Sequence, residues 1–402
     1  MDKVYYLDNN ATTRTAPEVE EAMRPFFGEL YGNPSSMHFF GGTNQKYLDR
    51  ARESVAKLLG AGPEEILFTS CGTESDSTAI WSALRAFPEK KHVITTKVEH
   101  PAVLNLCKYL ETQGYRVTYL GVDAEGRLNL DELKAALSPD TAIVSIMWAN
   151  NETGVIFPVE DAARITHSRG ALFHTDAVQA VGKLPMNLAE SKIDMLSLSG
   201  HKLHAPKGIG ALYIKKGTRF SPFLMGGHQE RGRRAGTENV PYIVAMGRAA
   251  DLALEKMGEE NGRVKALRDR LEQGLVKAVK NTRVNGGGAE RLPNTSHIGF
   301  EYVEGESILI MLSEKGICAS SGSACTSGSL EPSHVMMSMG VPQTYAHGTI
   351  RFSLSVYSTD EDVDAVLREV PPVIERLREI SPFADGKPLF GMDACEPHKH
   401  SH

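Results

Sequence analysis

The sequence predicts an α/β protein with a mostly parallel sheet of seven strands and a second, smaller α/β domain. Between about residues 50 and 215, short apolar segments typical of strands alternate with segments of helical period. Such alternation is typical of a parallel sheet that helices cover on both faces. The chain of 402 residues is also too long for one ordinary compact core, and its pattern becomes more mixed after about residue 260.

The larger domain is predicted to contain seven strands and five accompanying helices. Its seven strands are predicted at Glu65–Thr69, His92–Thr96, Tyr115–Leu120, Ala142–Trp148, Ala171–Thr175, Ile193–Ser197 and Gly210–Ile214. The accompanying helices are predicted at Ala51–Leu59, Glu74–Phe87, Ala102–Thr112, Asp131–Leu137 and Val159–Ser168. Parallel strands place their carboxyl ends at one edge of a sheet, and that edge is where such sheets bind ligands.

A long helix is predicted next, from Pro241 toward Val279. Proline suits the first turn of a helix, and Thr237 and Asn239 are cap residues close to that start. Gly262 is a weak point inside the helical pattern, where an interruption is expected.

The remainder of the chain predicts the smaller domain. Its strands are expected at Thr295–Phe300, Gly316–Ala319 and Thr349–Leu354, and its helices at Ser307–Glu314 and Asp360–Ile380. We therefore expect a large domain over residues 15–259, a small domain formed by residues 1–14 and 260–380, and a loosely ordered tail over residues 381–402.

Composition and charge argue against several classes of function. Hydrophobic residues are 41% and charged residues 23%, the mixture of a globular protein. The net charge is -6 and neither end carries a long basic block, so nucleic-acid and membrane-surface binding are not expected. No apolar run approaches the ~20 residues that span a bilayer. The first residues lack the pattern of a signal peptide, and a cytoplasmic protein is therefore expected.

The five cysteines indicate a reducing compartment rather than a disulfide scaffold. They form an odd set without a C-x-x-C pair, at positions Cys71, Cys107, Cys318, Cys325 and Cys395. The spacing also argues against a zinc ribbon. Three histidines in the C-terminal tail are interpreted as solvated, and no metal site is expected.

Two charged residues at predicted strand ends are candidates for cofactor chemistry. Lys202 follows the Ile193–Ser197 strand in a loop of small residues, where a lysine can lose its proton and form a Schiff base. Asp176 ends the Ala171–Thr175 strand, where a carboxylate can keep a pyridine nitrogen protonated. Taken alone, a lysine such as Lys202 is more often a solvated surface charge, and Asp176 is more often a helix N-cap.

Two turns add weaker signals. Ser70–Glu74 joins a strand to the start of a helix, where free backbone N–H groups favour a phosphate. Many turns between a strand and a helix look like this one. His100 lies at a similar turn and can stack over an aromatic ring, or simply cap a helix.

In combination, these segments resemble the fold-type I pyridoxal-phosphate enzymes of the class-V aminotransferase family, specifically cysteine desulfurases of the NifS/IscS class. The resemblance covers nearly the whole chain, from residue 7 to about 355. The matching segments are Leu7–Thr13, Gly32–Ser36, Thr69–Ser75, Glu99–His100, Asn150–Glu152, Asp176–Gln179, Ser199–Lys202, Arg234–Thr237 and Ser320–Ser329.

The resemblance implies a role for each matching residue. Lys202 would bind pyridoxal 5'-phosphate covalently, Asp176 would pair with its ring nitrogen, and His100 would lie over its ring. The other cofactor-binding residues implied by the family are Gly72, Thr73, Asn151, Gln179, Ser199 and His201, with Thr237 from a neighbouring subunit. A site shared in this way implies a homodimer.

The resemblance also implies how the substrate, L-cysteine, is bound. Arg351 would grip its carboxylate, a role that suits a guanidinium fork, and Asn33 and Asn151 would contact the substrate as well. Without the resemblance, Arg351 would be interpreted as a surface ion pair on a strand.

Cys325 is the expected nucleophile. The segment Ser320–Ser329 has almost no bulky side chain, so a mobile loop is expected there. The resemblance implies that the Cys325 thiolate attacks the substrate sulfur, leaving alanine and a persulfide on Cys325. An iron–sulfur scaffold protein would then receive the sulfur.

Several alternatives stay open at this point. A selenocysteine lyase or an aminotransferase would share the fold, and a non-catalytic persulfide carrier would share the thiol. Thr69–Ser77 and Gly200–Pro206 favour the nitrogen-fixation branch over the housekeeping branch. The C-terminal sequence, Cys395–His402, departs from the housekeeping pattern, and the identity of the sulfur acceptor cannot be predicted from it.

Overall fold

A computed structural model of the chain describes residues 3–321 and 332–381. In this part of the chain, no helix is both long and apolar enough to cross a membrane. The predicted tail over residues 381–402 lies outside the described residues except for Ser381, and the predicted loop at Ser320–Ser329 is described only at Ser320 and Ser321.

The strands of the described residues are numbered β1 to β12 along the chain. They are Tyr5–Tyr6 (β1), Ile66–Thr69 (β2), His92–Thr96 (β3), Arg116–Leu120 (β4), Thr141–Ser145 (β5), Leu172–Asp176 (β6), Met195–Ser199 (β7), Gly210–Ile214 (β8), Thr282–Val284 (β9), Thr295–Phe300 (β10), Ile317–Cys318 (β11) and Thr349–Ser353 (β12).

The α-helices of the described residues are numbered in the same way. They are Pro17–Met23 (α1), Phe39–Gly42 (α2), Gln45–Leu59 (α3), Gly72–Ala86 (α4), Pro101–Thr112 (α5), Leu130–Ala136 (α6), Val159–His167 (α7), Val240–Glu259 (α8), Lys265–Ala278 (α9), Gly305–Glu314 (α10), His334–Ser338 (α11), Gln343–Ala346 (α12) and Asp360–Ile380 (α13).

The seven predicted strands form one sheet in the order β2-β8-β7-β6-β5-β3-β4. Only β8 runs against its neighbours, and the other pairs are parallel. Apolar side chains of α4 and α5 pack on one face, and those of α1, α3, α7 and α8 pack on the other. The prediction of a mostly parallel sheet covered on both faces is therefore confirmed.

The strand predicted at Ala142–Trp148 ends early in the structure. The apolar run from Ala142 to Trp148 predicted a single strand, but β5 ends at Ser145. The backbone N–H groups of Ile146 and Trp148 still bond to the carbonyl oxygens of His174 and Asp176, at 3.1 and 2.8 Å. The chain thus continues beside β6 without a regular ladder.

The long helix predicted from Pro241 is interrupted close to the expected position. A π-helical turn over Glu260–Val264 separates α8 from α9 and contains Gly262. The side chain of Glu260 is buried in this turn.

Two small sheets lie outside the main one, β12-β10-β9 and β1-β11. A separate group of buried apolar side chains surrounds them, made of Leu7 together with residues between 264 and 374. Strand β9 was not predicted, because three residues are too few to show an alternating pattern. The domain boundaries given in the sequence analysis stay a prediction.

Candidate active site

A cavity of about 330 Å³ opens at the carboxyl ends of the parallel strands. Its wall brings together ten of the residues predicted from the sequence, which are Gly72, Thr73, His100, Asn151, Asp176, Gln179, Ser199, His201, Lys202 and Arg351. They come from the segments that follow or end β2, β3, β5, β6 and β7, and from β12. The topology of the sheet therefore assembles residues that are up to 279 positions apart, from Gly72 to Arg351.

Lys202 stands in the short turn that follows β7. Its Nζ donates hydrogen bonds to the carbonyl oxygens of Ala11, at 2.8 Å, and Asn10. Burial lowers the pKa of this amine to about 7, and the positive charges of Arg351 and Lys183 act in the same direction. A large fraction of the Lys202 amino group is therefore neutral near pH 7, whereas the amino group of an exposed lysine is almost fully protonated.

Asp176 is the last residue of β6 and its side chain is buried. One carboxylate oxygen, Oδ1, accepts a hydrogen bond from the backbone N–H of Val178 at 2.9 Å. Burial raises the pKa of Asp176, and a positive charge on His100 or Lys202, when either is protonated, opposes this rise. A cationic partner held against this carboxyl would keep it ionised.

The turn between β2 and α4 has the features of an anion site. Helix α4 has fifteen residues and begins at Gly72, and the side chain of its N-cap residue, Cys71, makes no capping hydrogen bond. A Cβ on Gly72 would lie 2.9 Å from the Cγ2 of Val178, so the backbone approaches its neighbours more closely than other residues allow. The Oγ of Ser199 is buried beside this turn and has no hydrogen-bond partner among the described residues.

His100 is the N-cap of α5. Its Nδ1 accepts the backbone N–H of Ala102 at 3.1 Å, so the proton of the neutral ring is placed on Nε2. Burial lowers the pKa of His100, and the charge of Lys202 adds to this effect. His100 is thus held as a neutral ring that donates from Nε2.

The amide and guanidinium groups of the pocket are linked to the N-terminal segment. Gln179 donates from Nε2 to the carbonyl oxygen of Asn10 at 3.0 Å, while its Oε1 is buried without a partner among the described residues. Arg351 donates from Nη1 to the carbonyl oxygen of Asn151 at 3.0 Å and from Nη2 to Oδ1 of Asp8 at 2.7 Å. His201 bonds through Nδ1 to the Oγ1 of Thr12 at 3.1 Å.

Three predicted site residues do not lie in this pocket. Asn33 is exposed, and its Oδ1 accepts the backbone N–H of Ser35 at 2.9 Å. Thr237 lines a different cavity of about 180 Å³. Cys325 lies outside the described residues.

Three acidic residues and one histidine also line or support the pocket and were not predicted as site residues. Asp76 follows Thr73 by one helical turn, Glu99 precedes His100, and Glu152 follows Asn151, so each has a sequence neighbour in the predicted set. Burial raises the pKa of Asp76, of Glu152 and, to about 8, of Glu99.

The fourth residue, His334, lies after the cysteine segment Ser320–Ser329 and has no close neighbour in sequence among the predicted site residues. Its Nε2 bonds to the carbonyl oxygen of Glu99 at 2.9 Å. The neighbouring Ser333 donates from Oγ to Oε2 of Glu152 at 2.6 Å. Both contacts hold the start of α11 against the pocket.

The family model of the class-V aminotransferases matches residues 5–366. The chain belongs to this family. Among curated class-V relatives, "Cysteine desulfurase 2" of Trichormus variabilis is 63% identical over 382 residues, 95% of this chain and 96% of the relative. "Cysteine desulfurase NifS" of Azotobacter vinelandii is 61% identical over 382 residues, 95% of each chain.

Solved structures of class-V proteins show the same fold. A NifS-like protein is superimposed with a TM-score of 0.88 at 41% identity, covering 93% of this chain and 100% of the other. A NifS-like protein from Rickettsia africae gives a TM-score of 0.83 at 31% identity, covering 93% and 100%. The fold class and the family resemblance drawn from the sequence are therefore confirmed.

Proposed function

We propose that the chain is a pyridoxal-phosphate-dependent cysteine desulfurase that takes sulfur from L-cysteine. The observation that carries this proposal is that one pocket holds a half-buried lysine with a pKa of about 7 and a buried aspartate at the end of the neighbouring strand. Lys202 and Asp176 then match the two groups that pyridoxal phosphate needs, an amine for its aldehyde and a carboxylate for its ring nitrogen. Relatives at about 60% identity named cysteine desulfurase support the same conclusion.

Several polar groups of the pocket have no hydrogen-bond partner in the described part of the chain, and these groups fit the cofactor. The open N-terminus of α4 at Gly72 and Thr73, together with Ser199 and His201, would hold the phosphate. Gln179, with its unpaired Oε1, and Asn151 would face the ring hydroxyl. When bound, the cofactor supplies an electron sink for bonds at the substrate Cα.

The roles of the chain's own groups follow from their positions. Arg351 would bind the substrate carboxylate. Lys202 would take the Cα proton, since its lowered pKa leaves a neutral amine near pH 7. His100 would cover the ring and donate from Nε2.

Cys325 would receive the sulfur as a persulfide. Its thiolate attacks the substrate sulfur, an S–S bond forms as the C–S bond breaks, and the electron pair goes to the carbon that becomes the methyl group of alanine. Among the described cysteines, Cys107 is buried with a pKa raised to about 12, and burial also raises the pKa of Cys318. These two thiols are poor nucleophiles for this step.

A homodimer would explain why two predicted site residues, Asn33 and Thr237, lie away from the pocket of their own chain. Pro34 and Ser35, next to Asn33, line one cavity of about 660 Å³ together with Glu238, next to Thr237. Three large apolar side chains close to Asn33 in sequence are exposed, namely Tyr31, Met37 and Phe39. We infer that this surface packs on a second copy of the chain and that Thr237 completes the phosphate site there.

An iron–sulfur scaffold protein is proposed as the acceptor of the persulfide sulfur. The relatives include a protein named cysteine desulfurase NifS, and the segments Thr69–Ser77 and Gly200–Pro206 favour that branch. Supply of sulfur for nitrogenase maturation is the role that we propose on this basis.

The function is tested with the purified chain, pyridoxal phosphate, L-cysteine and a thiol reductant. We expect one alanine for each sulfide released, because reductant cleaves the persulfide. Transamination would instead give a keto acid and no sulfide, and a carrier would give neither product. The ratio of selenocysteine turnover to cysteine turnover is compared with the same ratio for a known desulfurase. A higher ratio for this chain would favour a selenocysteine lyase.

The pKa of Lys202 predicts how covalent attachment of the cofactor depends on pH. Only a neutral amine attacks an aldehyde, and a pKa of about 7 makes the neutral fraction rise about tenfold between pH 6 and pH 8. The rate at which the cofactor-free chain binds pyridoxal phosphate covalently should therefore rise about tenfold over this range and then level off. Stopped-flow absorbance measures it. A rate that still climbs above pH 9 would contradict the lowered pKa.

A further inference from the structure

The guanidinium of Arg351 is already paired with a carboxylate of the chain itself. Asp8 Oδ1 lies 2.7 Å from Arg351 Nη2, and their side chains are only 19% and 3% exposed. The backbone of Asp8 forms a bridge to Ser353, two residues after Arg351 on the same strand, so the carboxylate is held beside β12. This ion pair joins the N-terminal segment to the strand that carries the substrate-binding arginine.

Arg351 nevertheless keeps unused hydrogen-bonding capacity. Nη1 donates to the carbonyl oxygen of Asn151, and Nε is buried without a partner among the described residues. A ligand carboxylate that reaches the remaining N–H groups must approach the negative charge of Asp8. Two carboxylates on one guanidinium repel each other, most strongly where water is excluded.

We propose that Asp8 is an internal competitor for the substrate carboxylate. It pairs with Arg351 while no amino acid is bound, and its charge weakens the binding of every amino acid that uses Arg351. This inference rests on the proposed role of Arg351 in substrate binding. The pairing has a physical reason, because a buried guanidinium left without a counter-charge is costly.

The test replaces the charge of Asp8 and keeps its shape. Asp8→Asn leaves an oxygen that accepts from Nη2, whereas Asp8→Glu keeps the negative charge. The dissociation constant of L-alanine, which has the carboxylate but no thiol, is measured on the cofactor-loaded chain by calorimetry. We expect about tenfold tighter binding to Asp8→Asn and wild-type affinity for Asp8→Glu.

Cysteamine is the control ligand, because it has the amine and thiol of cysteine but no carboxylate. Its affinity should be the same in the wild type and in Asp8→Asn. Unchanged or weaker binding of L-alanine to Asp8→Asn, or an equal gain for cysteamine, would overturn the proposal. If Asp8→Asn does not fold, Asp8→Ser removes the charge and keeps a hydroxyl acceptor.

The same ligands separate this proposal from the proposed function. If the wild-type chain binds L-alanine but releases no sulfide from L-cysteine, the desulfurase function fails while the effect of Asp8 is still measurable. If Arg351→Lys leaves the affinity for L-alanine unchanged, Arg351 does not bind the carboxylate. The competition by Asp8 is then excluded as well.

Discussion

Lys202→Ala should abolish both covalent cofactor binding and sulfide release from L-cysteine. Lys202 is the one amine proposed both to hold the cofactor and to move the Cα proton, so its loss removes two contributions together. A positioned acid–base group alone contributes about 10²–10⁴-fold, and we expect a fall on the order of 10⁴-fold or more. Initial rates of sulfide release give the activity, and mass spectrometry after borohydride reduction shows whether the cofactor is attached.

The neighbouring Lys207 supplies a matched control. It is exposed on the same loop, five residues along the chain, and does not line the pocket. Lys207→Ala should keep the attached cofactor and the rate of the wild type. An attached cofactor in Lys202→Ala, or its loss in Lys207→Ala, would show that the wrong amine has been assigned.

The parts of the pocket that the sequence predicts are those with a local pattern. Asp176 and Lys202 each follow a short apolar strand, and Gly72 begins a helix directly after another. The carboxyl ends of parallel strands lie at one edge of the sheet. The sequence alone therefore predicts that residues at these ends lie close together. The family resemblance then supplied the roles of His100 and Arg351, for which the local pattern was ambiguous.

Other parts of the pocket depend on pairings that no local pattern shows. The ion pair of Asp8 with Arg351 joins residues 343 positions apart. His334 reaches the carbonyl oxygen of Glu99 across 235 positions. Burial of Glu152 and Asp76 likewise results from packing around the cavity rather than from their neighbours in sequence. These contacts change the charges of the pocket, and only the folded chain reveals them.

Cys325→Ala should stop sulfide release while leaving the cofactor attached and the pocket able to bind L-cysteine. The thiol is proposed as the only acceptor of the substrate sulfur, and without it no S–S bond can form. We expect the rate to fall on the order of 10⁴-fold, as for loss of a catalytic nucleophile. Sulfide assays give the rate, and the absorbance change on adding L-cysteine shows that substrate still binds.

Cys71 is the rival that makes this test decisive. It lies between Ser70 and Gly72 at the start of α4 and, unlike Cys107 and Cys318, it lines the cavity. Cys71 lies beside the proposed phosphate site, where its small side chain can serve for packing alone. A sulfur atom transferred to Cys71 would be enclosed by the pocket. Cys71→Ala should therefore release sulfide like the wild type, and a persulfide trapped with an alkylating agent should map to Cys325. Loss of sulfide in Cys71→Ala together with full activity in Cys325→Ala would reverse the assignment.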